Sequence, residues 1–265
     1  MIEIDDGNWQ DHAIPCDPGD GQIRSKGLAP RDYAAKPVGC YAAVPEFAMP
    51  LMTDDQIQAA IKRKDAEQSW LSDLRTTGMY GAMIPSRDQN GKGYCWAHSS
   101  TSANLLVRAR DNQPYADLSA YAVACIIKGY RDQGGNGIES VEWMQQNGIP
   151  TSKTWPQQSM SRSNDNATMR VEAAFYKPTG VWADMQPNDD RALATCLCND
   201  DPVVVDFNWW GHSVCACRLV SWNPLSIWIW NSWGDSWSDR GMGVLKGSKA
   251  SADGQVALIT VRAAG

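Results

Sequence analysis

The sequence predicts an α+β fold in which a helical lobe packs against an antiparallel, barrel-like β lobe, with a cleft between them. Signals for helix starts and stops occur through about residues 84–178, whereas alternating or continuous apolar runs of strand length fill about residues 179–265. Residues 1–83 form a third region, which begins with a stretch rich in Pro, Gly and Asp. Helices and strands that are segregated in this way are typical of two layers enclosing a shared core.

The N-terminal region contains one well-marked helix. Thr53 opens a predicted capping box, and apolar residues mark one helix face over 57–74, interrupted at Lys64 and Glu67. Polar interruptions suit a partly solvated surface helix. We therefore expect residues 1–75 to wrap the outside of the lobes or to bind a protein partner, rather than to act as a prosegment that crosses the cleft.

Four helices are predicted in the second region. The first begins at Cys95 and runs to about Arg108, and its early residues are small enough for close packing in a cleft floor. The other predicted spans are a helix capped by Ser119 and running through Lys128, one over Ile138–Asn147 with Gly148 as a left-handed stop, and one over Asn166–Tyr176.

The third region opens with a short helix near Asp189–Leu197 and is otherwise rich in strands. Five apolar runs have the length and residue types of strands. They are Val203–Phe207, His212–Trp222, Ser226–Asn231, Met242–Lys246 and Val256–Val261.

Composition excludes several classes of function. A net charge of −6 and a pI near 5.1 provide no electrostatic basis for binding nucleic acid or an anionic membrane. No apolar run approaches the ~20 residues of a membrane span. The first residues lack the basic and apolar regions of a secretory signal, so we expect cytoplasmic synthesis.

The eight cysteines are predicted to be mostly reduced thiols, because a chain without a secretory signal does not meet an oxidising compartment. Two pairs, Cys196 with Cys198 and Cys215 with Cys217, have a spacing that zinc ribbons do not use. We therefore predict buried structural cysteines, with no metal and no cofactor.

Four residues in order along the chain, Gln89, Cys95, His212 and Asn231, could form a thiol-nucleophile site. A cysteine attacks carbonyls as the thiolate, which His212 could generate as the base. Asn231 could hold that imidazole in one tautomer, and Gln89 could donate an amide N–H to the oxyanion.

The segments around these residues resemble the papain-like cysteine proteases, family C1. Cys-Trp-Ala at Cys95, Gly-His-Ser-Val at His212 and the run Asn-Ser-Trp-Gly-x-x-Trp at Asn231 all match family motifs, and Gln89 has the family spacing. The resemblance implies the two-lobe fold and a polypeptide substrate. It also implies further residues at the cleft, namely Gly134 and Gly135 in a glycine wall and Trp233 as a shield for the histidine. Among the other tryptophans, Trp209 and Trp210 border the predicted cleft and are the candidates for ligand contact.

Two departures from the family pattern leave substrate preference open. Lys92 stands where secreted members have a disulfide cysteine, and only Asn208–Gly211 separates the strand from His212. A cysteine endopeptidase is the leading hypothesis. The alternatives are a peptidoglycan endopeptidase and a structural or assembly component, for example of a phage virion, because a fold does not dictate its use.

Overall fold

The computed structural model describes residues 1–13, 26–77 and 82–260, which form eight α-helices and seven strands. The helices are α1 (Trp9–Ala13), α2 (Asp54–Glu67), α3 (Leu71–Thr77), α4 (Cys95–Arg110), α5 (Ala120–Ile127), α6 (Gly137–Asn147), α7 (Ala167–Ala174) and α8 (Asp190–Cys198). The strands are β1 (Ile2–Ile4), β2 (Val181–Met185), β3 (Val203–Phe207), β4 (His212–Ser221), β5 (Ser226–Trp230), β6 (Met242–Lys246) and β7 (Gly254–Ile259).

The strands form one sheet in the order β1-β6-β5-β4-β3-β7-β2, and all neighbours are antiparallel except β1, which runs parallel to β6. The predicted α+β class is confirmed, and the five predicted strands are present with small differences at their ends. Val261, the last residue of the fifth predicted strand, lies outside the described residues. Neither β1 nor β2 was predicted. The first has only three residues, with Glu3 in the middle and Asp5 directly after it, and the second contains the buried Asp184.

The two faces of the sheet bury different cores, as the alternation of strand side chains requires. In β3, Val204 faces the helical lobe, whereas Val203 and Val205 face the core under α2 and α8. Asp206 has the parity of Val204, so its carboxylate also points toward the helical lobe. This placement puts an acid at the junction of the lobes.

The predicted helices of the second region are all present, but two of their caps differ from expectation. The Ser119 hydroxyl makes no capping hydrogen bond. Gly148 has φ +79° with ψ −171°, so it is not a left-handed helical stop. A Cβ there would lie 1.9 Å from the Ala173 carbonyl oxygen, so glycine is needed because the end of α7 passes close by.

The capping box at Thr53 is confirmed, since Thr53 N–H donates to Gln56 Oε1 at 2.8 Å and Gln56 N–H donates to Thr53 Oγ1 at 3.3 Å. The predicted continuous helix face is wrong, because Gln68 is left-handed and ends α2 before α3 starts. Lys64 is not solvated either. Its side chain is 3% exposed and its ammonium group pairs with Asp200. No helix in the described ranges has the length and apolarity to span a membrane.

Candidate active site

Cys95 is the first residue of α4, where the helix leaves backbone N–H groups without intrahelical partners. Its side chain is fully buried. Burial raises the pKa of the Cys95 thiol to about 12, although hydrogen bonds from the backbone N–H groups of Ser213, Gly27 and Trp96 act in the opposite direction. The contact with Ser213 brings the sulfur beside the first residues of β4.

His212 begins β4 and makes one side-chain hydrogen bond, from Nε2 to Asn231 Oδ1 at 2.8 Å. Asn231 Oδ1 also accepts the Ser232 N–H at 2.7 Å, which identifies it as the amide oxygen. The proton therefore belongs on Nε2 and the lone pair on Nδ1. That Nδ1 atom is buried and has no hydrogen-bond partner among the described residues.

Two tryptophans enclose the imidazole of His212. Trp233 stacks on it with ring centroids 4.6 Å apart, and Trp210 meets it edge-on at 4.9 Å. Burial lowers the pKa of His212 to about 3, partly offset by the hydrogen bond to Asn231. Trp233 thus covers one face of the histidine ring.

Gln89 is fully buried, and its side chain is held at both ends. Its Nε2 donates to the Lys92 carbonyl at 2.6 Å, and its Oε1 accepts from the Ser232 hydroxyl at 2.6 Å. Ser232 follows Asn231, so this bond ties the glutamine to the segment that orients His212. The Gln89 amide nitrogen carries two hydrogens, and one of them forms the hydrogen bond to the Lys92 carbonyl.

The space between the lobes is occupied by the chain's own residues 27–29. The Gly135 N–H donates to the Gly27 carbonyl at 3.0 Å, and the Ala29 N–H donates to the Gly135 carbonyl at 2.8 Å. On the opposite side, the Leu28 N–H donates to the Gly211 carbonyl at 3.1 Å. The expectation that residues 1–75 wrap the outside of the lobes is therefore wrong for this segment.

Glycines allow this close passage. A Cβ on Gly27 would lie 2.3 Å from backbone atoms of Gly93, and a Cβ on Gly134 would lie 2.7 Å from the Gly27 oxygen. Gly134 and Gly135 lie against the N-terminal segment between the lobes. We call residues 26–31 the arm.

Trp209 and Trp210 lie beside the cleft but differ in exposure. They stack on each other at 5.4 Å, with Trp209 half-buried and Trp210 buried. The Trp210 indole N–H donates to the His12 carbonyl at 3.0 Å, so the N-terminal region covers this ring.

Sequence reasoning missed the acidic residues that flank the arm. Arg31 binds Asp184 through two hydrogen bonds of 2.8 and 2.9 Å, and the side chains are 6% and 1% exposed. Asp206 lies nearby on β3. The available signal was the charged residue Asp206 near the end of the apolar run Val203–Phe207. Burial of a charge is costly, so an acid in a buried strand indicates a specific partner or role.

No group of three or more His, Cys, Asp or Glu side chains in the described part of the chain is placed to hold a metal ion. The Cys196, Cys198, Cys215 and Cys217 thiols are buried and free, whereas Cys40 is free and exposed.

Comparison with known families gives a match over residues 71–216 to the model described as papain family cysteine protease. Papain of Carica papaya is 25% identical over 180 residues, which cover 61% of this chain and 51% of papain. Mexicain of Jacaratia mexicana is 23% identical over 181 residues, covering 61% and 82% of the two chains. The chain thus spans about half the length of papain and a larger share of mexicain.

Solved structures agree on the fold. Xylellain, a cysteine protease from Xylella fastidiosa, superposes with a TM-score of 0.63 at 17% identity, covering 91% of this chain and 99% of xylellain. The digestive procathepsin L2 of Tenebrio molitor has a TM-score of 0.59 at 17% identity, covering 92% and 80%. The family match extends over more than half of the sequence and includes Gln89, Cys95 and His212, so this chain belongs to the papain family of cysteine proteases.

Proposed function

We propose that this chain is a cysteine endopeptidase in which Cys95 is the nucleophile, His212 the base, Asn231 the residue that orients the base, and Gln89 an oxyanion donor. The observation that carries the proposal is the hydrogen bond from His212 Nε2 to Asn231 Oδ1. It leaves the lone pair on Nδ1, in a histidine whose neighbour Ser213 donates its N–H to the Cys95 sulfur.

The chemistry follows from these placements. As Cys95 Sγ bonds to a peptide carbonyl carbon, the thiol proton passes to His212, and the carbonyl oxygen becomes an oxyanion. The Cys95 N–H and Gln89 Nε2 stabilise that charge, at about 3 kcal/mol for each such donor. Collapse of the adduct breaks the C–N bond, and His212 returns the proton to the leaving amine. Water then hydrolyses the thioester, releasing the acid and restoring the thiol.

The same proposal includes inhibition by the arm. Arm residues bond to both walls of the cleft, and with the arm in place the pKa of Cys95 is about 12 and the pKa of His212 about 3. Both groups are therefore neutral near pH 7, so the thiolate is not formed. Withdrawal of the arm would hydrate the pair and make room for substrate.

The test compares the intact chain with variants in which the arm is weakened. Gly27→Ala places a Cβ against the Gly93 backbone, whereas Ala29→Pro removes the N–H that bonds to Gly135. Each should increase release of new N-termini from an unfolded polypeptide by about tenfold or more, because the competent fraction rises. Gly7→Ala is the control, since a Cβ there meets only the Asp5 side chain.

Cys95→Ala in each background should abolish this release while leaving the folded state intact. Purified cell wall is digested in parallel. Hydrolysis that survives Cys95→Ala would overturn the nucleophile assignment, and release of muropeptides without polypeptide cleavage would favour a peptidoglycan endopeptidase. Variants of the arm that remain no more active than the intact chain would overturn the inhibitory role.

A further inference from the structure

Asp206 is a buried carboxylate that the proposed mechanism does not use. It is 8% exposed, and its Oδ2 accepts the Gly137 N–H at 2.9 Å. Its Oδ1 has no hydrogen-bond partner within 3.5 Å among the described residues, although the Ser213 hydroxyl lies near enough to the carboxylate to lower its pKa. A buried carboxylate oxygen without a close partner is costly, so a ligand that donates a hydrogen bond to it would stabilise this site.

The position of Asp206 connects it to the catalytic residues. In the β3–β4 register Asp206 stands opposite Ser213, and Phe207 stands opposite His212. The carboxylate faces the helical lobe, and its charge raises the pKa of Cys95 in addition to the effect of burial. Its partner Gly137 lies two residues beyond Gly135, which pairs with the arm. A peptide lying along Gly135 would therefore pass directly by Asp206.

The arm already brings a cation to this place. Arg31, Tyr33, Asp184 and Asp206 line one small cavity. The Arg31 guanidinium binds Asp184 through two hydrogen bonds, but it makes none to Asp206. The cavity thus contains two carboxylates and one cation. Burial raises the pKa of Asp206 to about 6, so its carboxylate is ionised at neutral pH.

We propose that Asp206 is a specificity-determining residue that binds a cationic side chain of the polypeptide substrate, within three positions of the attacked carbonyl, in the acidic pocket that the arm covers with Arg31. This inference rests on the proposed peptidase function and names its substrate class. A lysine or arginine side chain would bring the positive charge and hydrogen-bond donors that Asp206 Oδ1 lacks. An apolar side chain would leave that oxygen buried without a partner.

The first measurement follows alkylation of Cys95 by iodoacetamide, mapped by mass spectrometry, in the full chain carrying Cys40→Ser to remove the exposed thiol. Adding Arg31→Gln should accelerate the reaction by about tenfold or more, because it weakens the attachment of the arm to Asp184. Arg170→Gln is the matched control, since Arg170 also binds a carboxylate through two hydrogen bonds, in this case Asp165. An unchanged rate of Cys95 alkylation in the Arg31 variant would show that the pocket does not hold the arm.

The second measurement uses blocked peptides that differ only in carrying lysine, norleucine or glutamate at one position, added to the Cys40→Ser/Arg31→Gln chain. When the varied residue is the one that reaches Asp206, the lysine peptide should protect Cys95 from alkylation at about tenfold lower concentration than the norleucine peptide. The glutamate peptide should protect least. Adding Asp206→Asn should remove the difference, whereas Asp190→Asn, which alters a half-buried carboxylate on α8, should preserve it.

Each outcome decides one claim. Equal protection by lysine and norleucine at every position would overturn the cationic specificity, as would a preference that survives Asp206→Asn. The comparison of lysine and norleucine peptides is made with Asp206 intact. It therefore tests the cationic specificity even if the Asp206→Asn variant does not fold. Protection reports binding of the peptide rather than its cleavage. A lysine preference in a chain that cleaves no peptide would therefore sink the peptidase proposal while supporting the pocket.

Discussion

The hydrogen bond between His212 and Asn231 decides which ring nitrogen carries the proton. Asn231 Oδ1 accepts from both His212 Nε2 and the Ser232 N–H, so it cannot rotate without losing a buried hydrogen bond. The stack of Trp233 on the imidazole restricts the ring as well. Two contacts, the hydrogen bond to Asn231 and the stack of Trp233, therefore hold the orientation of the imidazole ring, whereas the basic lone pair comes from His212 alone.

This difference predicts unequal losses of activity. In the Gly27→Ala background, His212→Ala should reduce kcat/KM by about 10³-fold or more, and Asn231→Ala by about ten- to a hundredfold, because stacking still holds the ring. Asn104→Ala is the control, since Asn104 is a buried amide in the middle of α4. Equal losses for His212 and Asn231 would contradict a purely orienting role for the asparagine.

At the scale of elements, the N-terminal region combines two separate tasks. β1 extends the sheet beside β6 and buries Ile4 in the core under α2 and α8. The arm lies between the lobes and bonds to Gly135 and Gly211. One element adds stability and the other occupies the cleft, so substitutions in the two should have different effects.

Ile4→Ala should lower the free energy of unfolding by about 2–4 kcal/mol, because it removes a fully buried side chain and leaves a cavity. Urea unfolding gives that value, and the rate of Cys95 alkylation in the folded chain should not change. Ile2→Ala, at a half-buried position on the same strand, should cost less. Faster alkylation in the Ile4 variant would show that β1 also holds the arm.

The elements that were predicted correctly are those whose own residues form a recognisable local pattern. β3, β5 and β6 are apolar runs, and α2 has a local capping box. Features that depend on distant partners were not predictable in this way. Lys64 is buried because Asp200 lies across from it, and the arm lies between the lobes because Gly135 and Gly211 bond to it.

The same distinction applies to the site. Gln89, Cys95, His212 and Asn231 have informative neighbours in the sequence, so their order alone indicates a shared site. Arg31 and Asp184 have none, and Asp206 has only its place in an apolar run, which indicates a buried acid but not its neighbours. Asp184 and Asp206 are near each other because β2 and β3 both pair with β7, and Arg31 joins them because the arm passes between the lobes; the local sequence pattern encodes neither pairing.

At the scale of the whole molecule, burial of titratable groups makes stability depend on pH in opposite directions. Burial lowers the pKa of His98 and of His212 to about 3, and it raises the pKa of Asp206 to about 6. Below about pH 6.5, the pKa of a histidine in the unfolded chain, the unfolded state binds protons at these histidines and the folded state does not. Stability therefore falls as pH falls. Asp206 acts in the opposite sense between about pH 6 and pH 4, because the folded carboxylate is protonated first.

His98 allows this balance to be measured without altering His212. Its ring packs edge-on against Tyr121 at 5.9 Å, and its Nε2 is buried with no hydrogen-bond partner in the described structure, so phenylalanine can take its place. Between pH 7.5 and pH 5, a histidine held at a pKa of about 3 costs the fold about 2 kcal/mol, and His98→Phe should recover about that amount. Asp206→Asn should do the reverse and steepen the loss at acid pH by about 1.4 kcal/mol, because it removes a group that takes up a proton on folding. Urea unfolding of the three proteins at the two pH values measures both changes. A His98→Phe variant that parallels the parent chain at both pH values would mean that His98 is protonated inside the fold, and the burial argument for His212 would then need the same revision.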